Sequence, residues 1–90
     1  MKRGRVTAQL SAIQKDPKVF SALKQTISRI GVTKLTEYIQ ASHTTIYDYL
    51  RGKPISAENE QHILDGLKAY NEAMEKAEHN RLAQAKALVS

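Results

Sequence analysis

Apolar residues recur at helical spacing along most of the chain, and the breaks between runs fall on capping and turn residues. Val19, Leu23, Ile27 and Ile30 are three or four apart, which predicts an amphipathic helix over about 17–29. Asp16 supplies its N-cap and Pro17 its first helical position. Gly31 ends it, because glycine is free to adopt a positive φ. Before it, Leu10 and Ile13 predict a short helix from Thr7 to about Lys15. After it, Leu35, Tyr38 and Ile39 predict another from about Thr33 to Gln40. Ser42 caps a helix over 43–51, Gly52 stops it, and Pro54 prevents its resumption. Ser56 caps the last helix, with Glu58 and Glu60 in the first turn, where the helix dipole favours negative charge. Ile63, Leu64, Leu67, Tyr70, Met74 and Ala77 carry that helix forward, and the pattern runs on through Leu82, Ala85 and Leu88. Its second half is Ala-rich, with charges such as Glu72 and Lys76 at helical spacing. No strand pattern, internal repeat or low-complexity tract interrupts this, so the expected class is all-α, with about five helices.

The pattern divides the chain into a basic arm over 1–6, a helical domain over 7–70 and a helical extension over 71–90. Ninety residues make one domain with a small core, burying roughly 60–65% of the unfolded surface. A large enzyme cleft is not expected in it. Charge sharpens the division. Residues 1–53 hold ten Lys or Arg against three Asp or Glu, a net +7, whereas residues 54–90 hold four against six, a net −2. The first part suits a polyanion and the second a protein partner, although small domains often carry ordinary surface charge of this size.

Other chemistry is sparse. The chain has no Cys, and His43, His62 and His79 lack ligand spacing, so no metal or other cofactor is expected. No nucleophile, base and orienting acid share a recognisable context, and the expectation is a non-enzyme. The first turn of the last helix gives Glu58 and Glu60 a sufficient explanation in capping. The longest apolar run, Ala87-Leu88-Val89, cannot span a membrane. The basic opening "MKRGRV" leads into Thr7, Gln9, Ser11 and Gln14 rather than an apolar signal core, so the cytoplasm is the expected location.

Two short helices, 33–40 and 43–51, joined by a tight turn make a helix–turn–helix pattern. On a wheel of the second, Ile46, Tyr49 and Leu50 share one side; Thr44, Tyr47, Asp48 and Arg51 share the other. The outer side carries the donors, acceptors and cation that a helix in the DNA major groove uses. His43 lies towards the flank at the N-terminal end, which comes nearest to base edges in such docking.

The stretch "LTEYIQASHTTIYDYLRGK" resembles the helix–turn–helix of lambda-repressor/Cro-like (Xre-type) regulators. Leu35, Thr36, Ile39, Ser42, Ile46, Tyr49, Leu50, Arg51 and Gly52 occupy the family's places in order. "TEYIQASHTTI" is also similar to the equivalent segment of LacI-type regulators, whose ligand-binding domain the chain lacks. Gln40 stands where the family usually has Gly, implying a turn less dependent on positive φ or one under strain. Thr36 replaces the usual small Ala, and the Gln often found at the start of the first helix is missing. The resemblance implies a lambda-repressor-like bundle that binds double-stranded DNA as a homodimer on a two-fold operator. Half-sites would lie ~34 Å apart.

On that reading His43, Thr44, Tyr47 and Arg51 contact bases. Lys34, Ser42, Thr45 and Lys53 contact the backbone, as do Lys2, Arg3 and Arg5 from the arm. For His43 the alternative is a polar first-turn residue, and for Arg51 a charge suited to a helix C-terminus. Asp48 either accepts from a cytosine amine or pairs with Arg51. For Lys2, Arg3 and Arg5 the alternative is a basic tail without groove contacts. Tyr70, Met74, Ala77, Leu82 and Leu88 are the expected dimer contact. The function that follows is a transcriptional regulator of phage, plasmid or bacterial type, most simply a repressor. Two alternatives stand beside it: an antitoxin or phage-encoded interaction module that uses the helix–turn–helix as scaffold, with another protein on the C-terminal helix, and a non-specific nucleoid-type DNA binder.

Overall fold

The computed structural model describes residues 9–90, and the arm residues Lys2, Arg3 and Arg5 lie outside them. The described residues form four helices and no strand: α1 (Pro17–Ile30), α2 (Val32–Leu35), α3 (His43–Leu50) and α4 (Ala57–Val89). The class is all-α, but the expected five helices are four. Over 9–15 the chain makes only a single turn, 12–15. Pro17 explains why that turn cannot run into α1. Its ring disfavours the helical conformation at the residue before it, and Asp16 is accordingly extended, with φ −102° and ψ 101°.

The caps are local. Asp16 Oδ1 accepts from Val19 N–H at 3.2 Å, Ser42 Oγ from Thr45 N–H at 3.1 Å, and Ser56 Oγ from Asn59 N–H at 3.0 Å. Among the described residues the two positive-φ positions are Gly31 (102°) and Gly52 (83°), which close α1 and the turn after α3. The expected helix over 33–40 contracts to α2. After Leu35 the chain tightens into i→i+3 bonds, Glu37 N–H to Lys34 O and Tyr38 N–H to Leu35 O, while Thr36 Oγ1 donates to Thr33 O at 2.6 Å.

The core is contributed by every element. Phe20 and Ile27 come from α1, Val32 and Leu35 from α2, Ile39 from the turn, Ile46 and Tyr49 from α3, and Ile63 and Leu67 from α4. Phe20 meets Tyr49 edge to face, with centroids 5.3 Å apart. Short as it is, α2 touches α1, α3 and α4 and so sits at the centre. Burial along α4 stops near Leu67, with Tyr70 half-buried edge-on against Tyr38 at 5.4 Å. From residue 78 onward every α4 residue is exposed. The result is a head with a projecting helix, 73 Å long and 24 by 17 Å across.

Gly66 lets α4 approach the turn. A Cβ there would lie 2.2 Å from Ile39 Cγ1, 2.7 Å from Ile39 Cα and 2.9 Å from Tyr38 O. Two of those three neighbours are backbone, so the contact admits no side chain on α4. The turn itself needs no left-handed residue, since no non-glycine among the described residues has a positive φ. Gln40 is therefore unstrained.

Candidate nucleic-acid interface

The second helix of the pair is divided as its wheel predicts. Ile46 and Tyr49 are fully buried and Leu50 is half-buried against the core. His43, Thr44, Tyr47 and Arg51 are exposed, Tyr47 to 46% despite its size. Among the described residues neither the Thr44 nor the Tyr47 side chain hydrogen-bonds within the protein, so the donors and acceptors of both face solvent.

Asp48 takes the second of its two sequence readings. Its Oδ1 accepts from Arg51 Nη2 at 2.9 Å, and Lys53 Nζ approaches it at 3.8 Å. Its carbonyl also accepts from the backbone N–H of Arg51 and of Lys53. One carboxylate thus tethers two cations at the end of α3. The Arg51 side chain remains 63% exposed and has donors to spare.

The candidate backbone contacts are placed less uniformly. Lys34 and Lys53 are exposed on α2 and after α3. Ser42 Oγ is committed locally, accepting from Thr45 N–H and donating to Thr45 Oγ1 at 3.0 Å. Ser42 and Thr45 thus hold one another at the start of α3. Of the expected dimer residues, Met74, Leu82 and Leu88 are exposed and Ala77 is partly so, whereas Tyr70 packs on Tyr38 within the head.

What holds α3 in place was not legible as such. Glu60 lies in the first turn of α4, as expected, but its role goes beyond facing the helix dipole. It is buried, and Oε2 accepts from Tyr49 Oη and from Ser11 Oγ, each at 2.5 Å. Burial of the Tyr49 phenol, the hydrogen bond to Glu60 and the charge of Glu60 push the Tyr49 pKa well above the ordinary tyrosine value. Tyr49 therefore acts as a permanent donor at neutral pH.

The turn at 12–15 completes this arrangement. Ser11 Oγ accepts from Gln14 N–H, and Gln14 Oε1 accepts from Ser11 N–H, both at 3.1 Å. This reciprocal pair is a capping box on a one-turn element. Its spare donors reach outward, Ser11 Oγ to Glu60 and Gln14 Nε2 to Lys53 O at 2.8 Å. The turn therefore clasps both ends of the α3–α4 connection. The Ser-x-x-Gln spacing was the available sequence signal for it.

A cleft of about 250 Å³ lies beside the 38–40 turn, lined by Tyr38, Gln40, His62, Asp65 and Ala69. It is smaller than the ~300–1,000 Å³ usual for small-molecule sites. Among the described residues no three His, Asp or Glu side chains are grouped to hold a metal. No helix of the described residues is long and apolar enough to cross a membrane. Comparisons with family models, with curated proteins and with solved structures found no match to this chain.

Proposed function

We propose that this chain is a sequence-specific DNA-binding regulator that acts as a homodimer and reads an operator with α3 in the major groove. The observation that carries this reading is the split of α3. One face is sealed into the core by Ile46 and Tyr49, and the other offers Thr44, Tyr47 and Arg51 to solvent. A surface helix needs no such set of uncommitted polar groups to fold. A helix that reads base edges needs groups of this kind on a rigid base, and the Tyr49–Glu60 bond supplies the rigidity. In this role Arg51 reads guanine, Thr44 and Tyr47 meet neighbouring bases or methyl groups, and His43 contacts the nearest base edge or phosphate. Lys34 and Lys53 hold phosphates, which position the protein without reading sequence. Blocking polymerase access is the simplest regulatory outcome of such binding.

The test is the variant with Thr44, Tyr47 and Arg51 all changed to Ala. It should keep the wild-type melting temperature and lose its preference for operator over random DNA. Retained preference would remove α3 from the interface.

One observation favours a second reading. The exposed face of α4 beyond Leu67 suits a protein partner, as in an antitoxin or phage-encoded interaction module built on a helix–turn–helix scaffold. Binding that ignores DNA sequence would instead identify a nucleoid-type protein.

A further inference from the structure

The segment of α4 that leaves the head leaves its large apolar side chains uncovered. Met74 and Leu82 are 41% and 51% exposed, and Leu88 is 79% exposed. A helix of this length with no packing is marginal in water, because helix stability in proteins comes chiefly from tertiary burial of one face. On a helical wheel Met74, Glu78, Arg81 and Ala85 fall in the same narrow sector as Ile63 and Leu67, the α4 residues that pack on the head. The uncovered face is thus continuous with the core face, and two opposite charges stand at its middle.

The charges along the segment are segregated. Glu72, Glu75 and Glu78 come first, with Lys76 among them, and Arg81 and Lys86 follow. Among the described residues neither ion pair lies on α4, since both go to Asp48. A parallel in-register partner would set Glu78 against the partner's Glu78 and Arg81 against the partner's Arg81. An antiparallel partner reverses this. With the two-fold axis between His79 and Asn80, Glu78 lies opposite the partner's Arg81, and Glu75 comes near the partner's Lys86. In the same register Met74 lies opposite the partner's Ala85, a large side chain against a small one.

We propose that α4 pairs antiparallel with α4 of a second copy in this register, and that this pair is the dimer interface. The inference rests on the homodimer of the proposed function and gives it an orientation. It also fixes the reach of the dimer. At 1.5 Å per residue, the two Glu60 residues that anchor α3 would lie ~58 Å apart along the rod. That exceeds the ~34 Å between half-sites one DNA turn apart and falls nearer the ~68 Å of two turns. The expected operator therefore has half-sites two turns apart.

The chain has no cysteine, so single cysteines report register cleanly. Both Met74 and Ala85 are exposed, and thermal melts of M74C and A85C check that each folds. Full-length M74C, A85C and their equimolar mixture are oxidised in a glutathione buffer, with sedimentation equilibrium on the wild type. The expected result is a disulfide between the two different variants in the mixture. Neither variant should link to itself, because like positions are ~16 Å apart along the axis in this register. A dimer in which M74C links to itself, or in which the mixture does not link, overturns the antiparallel register and leaves the homodimer standing. A wild type that stays monomeric at micromolar concentration overturns the homodimer and this inference together. Operator binding by that monomer would still uphold the DNA reading.

Discussion

The Tyr49 hydroxyl donates to Glu60 Oε2 at 2.5 Å, and through this bond the buried face of α3 is tied to the first turn of α4. Ser11 donates to the same oxygen. Three segments distant in sequence thus meet at one carboxylate behind the face proposed to read DNA. Tyr49→Phe keeps the ring and its contact with Phe20 but removes the donor. It should lower unfolding free energy by about 1.5–3 kcal/mol in urea titrations, the range for a hydrogen bond to a charged group. Glu60→Ala should cost at least as much, because it leaves two donors without their acceptor. A loss below ~0.5 kcal/mol for both variants would mean the junction does not hold α3.

The same bond makes a pH prediction. Tyrosine in the unfolded chain titrates near ~10. Tyr49 in the folded chain titrates higher, because burial, the Glu60 hydrogen bond and the Glu60 charge all favour the protonated phenol. A raised folded pKa gives stability that is complete below the unfolded value and is lost as pH rises through and above it. The stability difference between wild type and Tyr49→Phe should therefore be constant through neutral pH and shrink above about pH 10. A difference that stays constant to pH 11 would contradict the assignment of this hydroxyl as a buried donor.

Gly66 offers a prediction whose sign is unusual. By helix propensity alone, Gly66→Ala inside a helix should stabilise by ~1 kcal/mol. Here the added methyl would press on Ile39 Cα and Tyr38 O, which cannot rotate away. The expected outcome is a net loss of about 1–3 kcal/mol, the usual cost of overpacking, read from thermal or urea unfolding. A stabilised variant would show that α4 does not lie flush on the turn.

Arg51 and Asp48 separate base reading from backbone holding. Arg51→Ala should cost about 1–3 kcal/mol at one base position of the operator, the value of a bidentate contact to guanine. If Arg51 instead holds a phosphate, the loss will be uniform across sequences and the salt slope will fall by about one. Asp48→Asn frees Arg51 from its tether and should change stability by less than ~1 kcal/mol, as an exposed pair does. The same variant should relax preference at the base that Arg51 reads. Unchanged preference would show that Asp48 does not position Arg51.

The sequence disclosed what was decided locally. Asp16, Ser42 and Ser56 each bond an N–H three residues on, so their roles follow from spacing alone. The division of α3 between Ile46 and Tyr49 inside and Thr44 and Tyr47 outside follows from helical periodicity. Glu60 was hidden because its position already had a local explanation, while its real partners lie 11 and 49 residues away. Gly66 was hidden because a glycine within a helix reads only as weak propensity until its neighbour is known. The end of α2 at Leu35 was hidden because Tyr38 and Ile39 keep the apolar spacing after the backbone has left the α-helix. The roles of His43, Thr44, Tyr47 and Arg51 depend on a partner molecule and rest on the proposed reading.

The most direct measurement is selection of bound sites from a random double-stranded DNA pool by the full-length protein, with stoichiometry determined on the winning sequence. The expected result is enrichment of two inverted half-sites bound by two chains, with loss of that enrichment in the variant carrying Ala at 44, 47 and 51. No enriched sequence, or the same enrichment by that variant, would contradict the claim that the outer face of α3 reads DNA.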